Sequence, residues 1–180
     1  MSTANKTFKT LLAKNLSVEV FTERCDEPFL GFIREFNDKF LLLEYYNSEQ
    51  IFAGIIVFKR SSIRRVRWEV GHERALHPGL PKEELTKKLA GIHIGSLENV
   101  IKSVDRTFGY VGIRSVNSDG EFGVIGKIRE MDSSTLVVTE LVPGVPSHST
   151  MLMLHMQDII YVDAGSAYAN DLAAAYGLPG

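Results

Sequence analysis

An internal repeat limits what this chain can fold into more than any other feature of its sequence. The segment GFIREFNDKFLLLE begins at Gly31, and the related segment GKIREMDSSTLVVTE begins 95 positions later at Gly126. Each copy is followed by an apolar stretch and then by a strand-like segment, SIRRVRW around Ile63 and DIIYVDA around Ile159. Because similarity at a fixed spacing is typical of a repeated structural unit, we predict two tandem copies of one small fold.

The repeat also sets the domain organisation of the 180 residues. We predict a first module at residues 1–78, a helical connector at 79–95 and a second module at 96–180. A unit of about 90 residues is near the lower end of domain size and leaves much of its surface exposed. Packing of the modules against each other, or oligomerisation, is therefore expected to stabilise them.

Each module is predicted to open with a helix and to continue as a series of short strands. In the first module Phe8, Leu11 and Leu12 share one helical face. In the second, Ser96 and Gly109 are suitable caps for the two ends of a helix. The apolar runs that follow each helix, bounded by polar turns, are typical of strands.

Both modules are also predicted to end in a short helical tail. The tails are GHERAL in the first module and GSAYANDLAAAYG in the second. In the second tail we expect Ala167, Leu172 and Ala175 to dock onto the module itself or onto a neighbouring subunit.

The fourth predicted strand of each module is apolar on both faces for much of its length. These strands are IFAGIIVFK, which begins at Ile51, and TMLMLHMQ, which begins at Thr150. A strand with one wet face should alternate between apolar and polar side chains, whereas a strand covered on both faces should not. The sequence leaves open whether the cover is the opening helix, the other module or another subunit.

The order of a helix and five short strands, with a glycine in the second strand, resembles the Sm and Sm-like protein family. GFIREFNDKFLLLE resembles the first Sm signature, in which a glycine, spaced apolar residues and an acidic turn precede an apolar strand. VFKRSSIRRV resembles the second signature, in which basic and small residues precede an isoleucine strand. The likeness covers about residues 5–70, and a degenerate version covers about residues 96–164. It implies a mainly β protein with two tandem Sm-like, SH3-type, five-stranded small barrels, each preceded by a helix.

The chain departs from the RNA-binding members of that family at the residues that hold a base. The resemblance implies an asparagine in the strand after the acidic turn, but Leu41 and Leu136 occupy the two equivalent positions. The basic pair of the second signature is Lys59 and Arg60 in the first module, whereas we match Gln157-Asp158 to it in the second. The resemblance therefore predicts a fold better than it predicts a ligand.

The segment FKRSSIRRVRW in the first module is the strongest candidate for a binding site. Arginines pair with phosphates and aromatic rings stack on bases, so this composition suits single-stranded RNA. The candidate residues are Phe58, Lys59, Arg60, Arg64, Arg65, Arg67 and Trp68. The other interpretation is an edge strand that its charges keep from aggregating, or arginines paired with the acidic second module.

The formal net charge of −2 conceals an asymmetry between the two halves of the chain. The first half, residues 1–95, carries 15 basic and 12 acidic side chains, a net charge of +3. The second half, residues 96–180, carries 5 and 10, a net charge of −5. The first half is therefore the better candidate for contact with an anionic polymer.

No motif for catalysis or metal binding is evident in the sequence. There is no G-x-S-x-G elbow and no phosphate-binding loop with its lysine, and the five histidines lack metal-ligand spacing. Cys25 is the single cysteine, and no apolar stretch has the length of a membrane span. We therefore predict a soluble cytoplasmic protein with no cofactor, no bound metal, no membrane association and no evident small-molecule substrate.

These observations favour a non-enzymatic binding or scaffolding protein that self-associates through its apolar strands into a homo-oligomer. The alternative is an RNA-binding Sm-like protein that uses the basic strand Lys59–Arg67 of the first module. Because members of the resembled family form rings of six or seven barrels, the resemblance implies that three two-barrel chains form a six-membered ring.

Overall fold

The strands of both halves belong to one continuous antiparallel sheet in the computed structural model, which describes residues 2–23, 25, 27–69, 82–116, 123–144 and 150–179. The helices in this part of the chain are α1 (Thr3–Ala13), α2 (Lys82–Ala90), α3 (Leu97–Phe108) and α4 (Ala167–Ala175). The strands of the first half are β1 (Ser17–Thr22), β2 (Phe29–Phe36), β3 (Phe40–Tyr46), β4 (Phe52–Lys59) and β5 (Ile63–Trp68). Those of the second half are β6 (Val111–Ser115), β7 (Val124–Met131), β8 (Thr135–Glu140), β9 (Thr150–His155) and β10 (Ile159–Ala164).

The order of the strands repeats from one half to the other. The sheet runs β5-β1-β2-β3-β4 through the first half and continues as β10-β6-β7-β8-β9 through the second. The register repeats as well, because Val18 lies opposite Gly31 and Val111 lies opposite Gly126. The predictions of a mainly β chain and of a helix ahead of each set of strands are therefore confirmed. The two sets do not close separately, since the described strands form one open sheet with β5 and β9 at its ends.

The helix ends follow from local sequence. At the start of α3 the Ser96 Oγ accepts a hydrogen bond from the Asn99 backbone N–H at 3.2 Å, and at its end Gly109 adopts a φ of 79°. Both are the predicted caps, since a hydroxyl satisfies a free N–H and glycine enters the left-handed region without strain. Val100, Ile101 and Val104 form the buried face of this helix.

The closing helix of the second half is rotated relative to the prediction. Ala169, Leu172 and Ala173 are buried in α4, whereas Ala167 and Ala175 are exposed. Leu172 is buried as predicted, and the buried positions follow the i, i+3, i+4 spacing of one helical face, whose centre lies about a third of a turn from the predicted one. The predicted tail GHERAL lies outside the described residues.

Two hydrophobic cores lie on opposite faces of β3 and β4. The first core joins α1 to one face of the first half; its buried members are Phe8, Leu11, Val18, Val20, Ile33, Leu41, Leu43, Ile56 and Phe58. The second core includes side chains on the opposite face of β3 and β4 and two from the segment between α2 and α3. These residues are Phe40, Leu42, Ile55, Val57, Ile92 and Ile94. These side chains are packed in one cluster with the buried side chains of α3, β6, β8 and β10. The outer faces of β3 and β4 are therefore covered by the second half of the same chain.

Replacing Gly31 by alanine is expected to destabilise the fold. A Cβ at Gly31 would lie 2.0 Å from the backbone oxygen of Glu44 on β3, so two paired strands would have to separate. We expect a loss of about 2–3 kcal/mol in the free energy of unfolding, measured by urea denaturation. The matched control is Gly95→Ala, where the nearest atom to the new Cβ is 3.5 Å away. Equal stability of the two variants would contradict this packing.

Candidate functional site

The two halves of the chain meet along one pair of antiparallel strands, β4 and β10, which we call the seam. The opposed residues are Phe58 and Tyr161, Val57 and Val162, Ile56 and Asp163, and Ile55 and Ala164. On one face Val57 and Val162 belong to the second core. On the other face the rings of Phe58 and Tyr161 pack edge to face with centroids 5.6 Å apart. The seam therefore combines strand pairing with apolar contact on both faces.

Two residues of β4 are adapted to this close approach. Gly54 has a φ of 112°, and a Cβ there would lie 2.2 Å from the backbone oxygen of Ala164. Lys59 extends across the seam, and its Nζ donates to the backbone oxygens of Met156 at 2.8 Å and Gln157 at 3.0 Å. Burial lowers the pKa of Lys59, and the nearby Asp158 opposes that shift. Lys59 therefore links the two halves of the chain.

The seam also holds a partly buried carboxyl group. Asp163 lies opposite Gly112, and its Oδ1 occupies space that a Cβ on Gly112 would approach to 2.5 Å. Burial raises the pKa of Asp163 to about 6, although Arg114 acts in the opposite direction. At the equivalent place in the first half, Glu19 accepts a hydrogen bond from Arg67. The ion pair of Glu19 and Arg67 in the first half is therefore replaced by Gly112 and Asp163 in the second half, next to the seam.

The strand equivalent to β4 in the second half is β9, and its outer edge has no partner among the described strands. The register shows the equivalence, since Leu42 lies opposite Val57 on β4 and its counterpart Val137 lies opposite Met153 on β9. Ile55 and Val57 are only 1% and 2% exposed, whereas their counterparts Met151 and Met153 are 56% and 62% exposed. The apolar face that is covered at β4 is therefore open at β9.

The other end of the described sheet is β5, which contains most of the predicted binding residues. Arg64, Arg65, Arg67 and Trp68 are all exposed along this strand, Trp68 to 41%. The three arginines nevertheless have partners within the chain. Arg64 forms an ion pair with Glu23, the Arg65 guanidinium lies 3.9 Å from the centre of the Phe21 ring, and the Arg67 Nε donates to Glu19 at 2.5 Å.

The other three predicted residues are less exposed, since Lys59 and Arg60 are half-buried and Phe58 belongs to the core. Phe58 is fully buried, and the rings of Phe29 and Tyr161 pack against its ring. The Arg60 guanidinium donates to the Asn5 side chain at 2.6 Å and to the backbone oxygen of Asn37 at 2.7 Å. With Lys59 in the seam, the structure therefore divides the predicted segment into an inner part at Phe58–Arg60 and an outer part along β5.

The register corrects one sequence match in the second half. The sequence pattern matches Gln157 and Asp158 to the basic pair, but the ladder sets His155 opposite Thr135 as it sets Lys59 opposite Phe40. The counterparts of the basic pair are therefore His155 and Met156, two residues earlier. Leu41 and Leu136, which replace the base-contacting asparagine, are both completely buried.

Comparison with known proteins gives no family for this chain. The sequence matches no protein-family model and no curated protein. Across the described ranges, no three histidine, cysteine or acidic side chains are grouped so that they could hold a metal ion. In the same ranges no helix is both long and apolar enough to cross a membrane. Three of the five histidines lie outside the described residues: His72, His77 and His148.

Sequence reasoning did not identify the seam or the carboxyl group beside it. The signal was present in part, because the apolar character of both faces of β4 required a cover. The sequence does not identify β10 as the strand that pairs with β4, because strand pairing between repeats depends on residues far apart in the chain. Asp163 was overlooked because nothing in the string DIIYVDA shows that its second aspartate is packed against Gly112.

The raised pKa of Asp163 predicts a pH-dependent difference between the wild type and Asp163→Asn. Because the folded-state pKa is about 6 against an ordinary 3.8, the folded protein loses stability from this group as the pH rises from about 4 to 6. Denaturation at a series of pH values should find equal stability near pH 4 and an advantage of about 2 kcal/mol for the variant above pH 7. The exposed Asp171→Asn is the control, and an advantage that does not change with pH would contradict the assignment.

Proposed function

We propose that this chain is a non-enzymatic binding or scaffolding protein that self-associates through its apolar strands. The observation that supports the proposal is the difference between two equivalent strands. Ile55 and Val57 of β4 are buried by the other half of the chain, whereas Met151 and Met153 of β9 are more than half exposed. An apolar strand edge left open in this way is a template for pairing with another strand.

The energetics of the open edge favour association over exposure. Full burial of a methionine side chain contributes about 1.5–3 kcal/mol, and two adjacent ones lie on the same face of β9. Proteins that remain monomeric commonly protect edge strands with charges or prolines, but β9 has the sequence TMLMLH. The flexible methionine side chain also adapts to a partner surface with little strain.

The assembly that we propose is Sm-like, with three chains in a ring. Several features support this arrangement: the same order of five strands in both halves, a glycine in the second strand of each, and a 3₁₀ turn before the last strand of each. A ring of three chains has about three times the mass of the 20.1 kDa chain. Sedimentation equilibrium measures that mass directly.

Met153→Lys is expected to weaken self-association. The substitution places a charge on the open apolar face, so association would have to bury an unpaired ammonium group. We expect the dissociation constant to increase by at least about tenfold in sedimentation measurements. Ile51→Lys is the control, because Ile51 is 43% exposed in the turn between β3 and β4, away from both sheet ends. A wild-type protein that is strictly monomeric would contradict the proposal itself.

RNA binding is the second candidate, and it is favoured by the row of exposed side chains on β5. Arg64, Arg65, Arg67 and Trp68 present cations and an indole ring along one strand, as a single-stranded nucleic acid requires. It ranks second because Glu23, Glu19 and the Phe21 ring already engage the three guanidinium groups. A phosphate would have to compete with these contacts.

The RNA hypothesis predicts that Arg64→Glu/Arg65→Glu removes retention on a single-stranded RNA column at low salt. Phosphate contacts release counterions, so retention of the wild type should also fall steeply as salt increases. Lys87→Glu/Lys102→Glu is the matched control, because both lysines are exposed and the change in charge is the same. If the wild type passes through the column unretained, or both double variants behave alike, β5 is not an RNA site.

A further inference from the structure

We propose that a groove across β1, β2 and β3 of the first half binds a short amphipathic helix of a partner protein, in the way that α4 packs on the second half. The groove is a binding surface separate from the open edge of β9. It does not depend on self-association, because the residues that line it belong to the first half of a single chain.

In the second half, α4 lies across three neighbouring strands. The Asn170 Oδ1 in this helix accepts a hydrogen bond at 2.7 Å from the hydroxyl of Tyr110, just before β6. At the end of the helix the Tyr176 hydroxyl accepts from the N–H of Val142, just after β8, at 2.9 Å and donates to its oxygen at 3.0 Å. Six helical residues rise about 9 Å, and two strand spacings are about 9.6 Å. One crossing of β6, β7 and β8 therefore accounts for both contacts.

The repeat identifies the residues of the first half that occupy the places next to α4. Those of the second half are the two hydrogen-bonded residues and three from the packed cluster that includes the buried side chains of α4. Tyr110, Ile125, Leu141, Val142 and Ala164 correspond, in this order, to Ser17, Leu30, Tyr46, Asn47 and Trp68.

The five counterparts line two adjoining cavities. One is a small cavity at Trp68, and the other has a volume of about 450 Å³ and is lined by Tyr46 and Asn47. The two cavities share Glu19 and Leu30, so together they form one groove. The positions that hold α4 in the second half therefore form a groove among the described residues of the first half.

The groove has the apolar side chains that a helix needs. Leu30 is half-buried and takes the place of Ile125. The largest difference is at Trp68, which is 41% exposed, whereas its counterpart Ala164 is 1% exposed. Tryptophan is enriched among the residues that contribute most to protein interfaces. A helix with apolar residues at i, i+3 and i+4 would cover the indole ring and remove its surface from water.

Charge specifies the helix that fits the groove. Glu27 is exposed and lines the larger cavity, and no lysine or arginine is among the described residues that line it. Glu19 also lines the groove in the place of Gly112, but Arg67 already pairs with it. The matching helix therefore has a lysine or arginine near Glu27 beside its apolar stripe.

A second copy of this chain does not supply such a helix. Its α4 is already held by Tyr110 and Val142, and it contains Asp171 but no lysine or arginine. The apolar faces of α1 and α3 are buried in the two cores of their own chain. The partner is therefore a different protein that presents a basic amphipathic helix.

A peptide with the sequence of residues 165–178 and the change Asp171→Lys is the probe, titrated into the full-length protein. Because so short a helix is marginal in water, a side-chain staple on its exposed face holds it helical. Trp68 is the single tryptophan of the chain and the peptide has none, so tryptophan emission reports on the groove alone. We expect a saturable shift of this emission to shorter wavelength, and no shift with a scrambled peptide of the same composition.

Two variants of the protein locate the bound peptide. Glu27→Lys should raise the dissociation constant of the peptide at least about tenfold, because the peptide lysine then meets a like charge. Glu35→Lys is the matched control, since it makes the same change at an exposed residue near the other end of β2. Leu30→Asp should weaken binding as well, by placing a charge under the helix. Thermal unfolding confirms the fold of each variant, and the exposed Glu27 keeps the test decisive if Leu30→Asp does not fold.

The inference is overturned if the peptide leaves the Trp68 emission unchanged, if the scrambled peptide shifts it equally, or if Glu27→Lys and Glu35→Lys bind the peptide alike. If the peptide binds only after residues 70–78 are replaced by a glycine–serine linker of equal length, the occupant is a segment of this chain and the partner helix is wrong. Sedimentation separates this result from self-association. A wild type that is monomeric and binds the peptide as expected supports the groove and contradicts the self-association proposed above.

Discussion

The pairing of β4 with β10 is the interaction on which the rest of the structure depends. It joins two sets of five strands into one sheet, and it brings the outer face of β3 and β4 against the helix and strands of the second half. That face supplies Phe40, Leu42, Ile55 and Val57 to the second core, where each is at most 5% exposed. Lys59 and Gly54 are explained by the same contact, the first as a donor across the seam and the second as the point of closest approach.

The seam also explains where the two halves differ. The second half has a covered β10 and an open β9, whereas the first half has a covered β4 and an open β5. Asp163 can be partly buried beside Gly112 because β10 is an interior strand, while its counterpart Arg67 lies on an open strand and is exposed. The difference in charge between Asp163 and Arg67 therefore accompanies a difference in the strands that surround them. Among the described strands, β5 and β9 are the two with an unpaired outer edge.

Much of the fold, but little of the site, could be predicted from the sequence. Local signals placed α3 between Ser96 and Gly109 correctly, and the repeat at Gly31 and Gly126 gave the common strand order. Such local signals cannot show whether each half closes into a separate barrel, because that depends on how distant strands pair. The candidate site was divided by packing: Phe58 is a core residue and Trp68 is exposed, although both are aromatic residues flanking the same basic segment.

Hydrogen exchange at two protein concentrations tests the central claim most directly. If copies associate through the open sheet ends, the amides of β9 and β5 should become protected as the concentration rises from below to above the association range. The amides of β4 and β10 should be protected equally at both concentrations, because the seam lies within one chain. Protection of β9 and β5 that does not change with concentration, in a protein whose mass does change, would contradict the account.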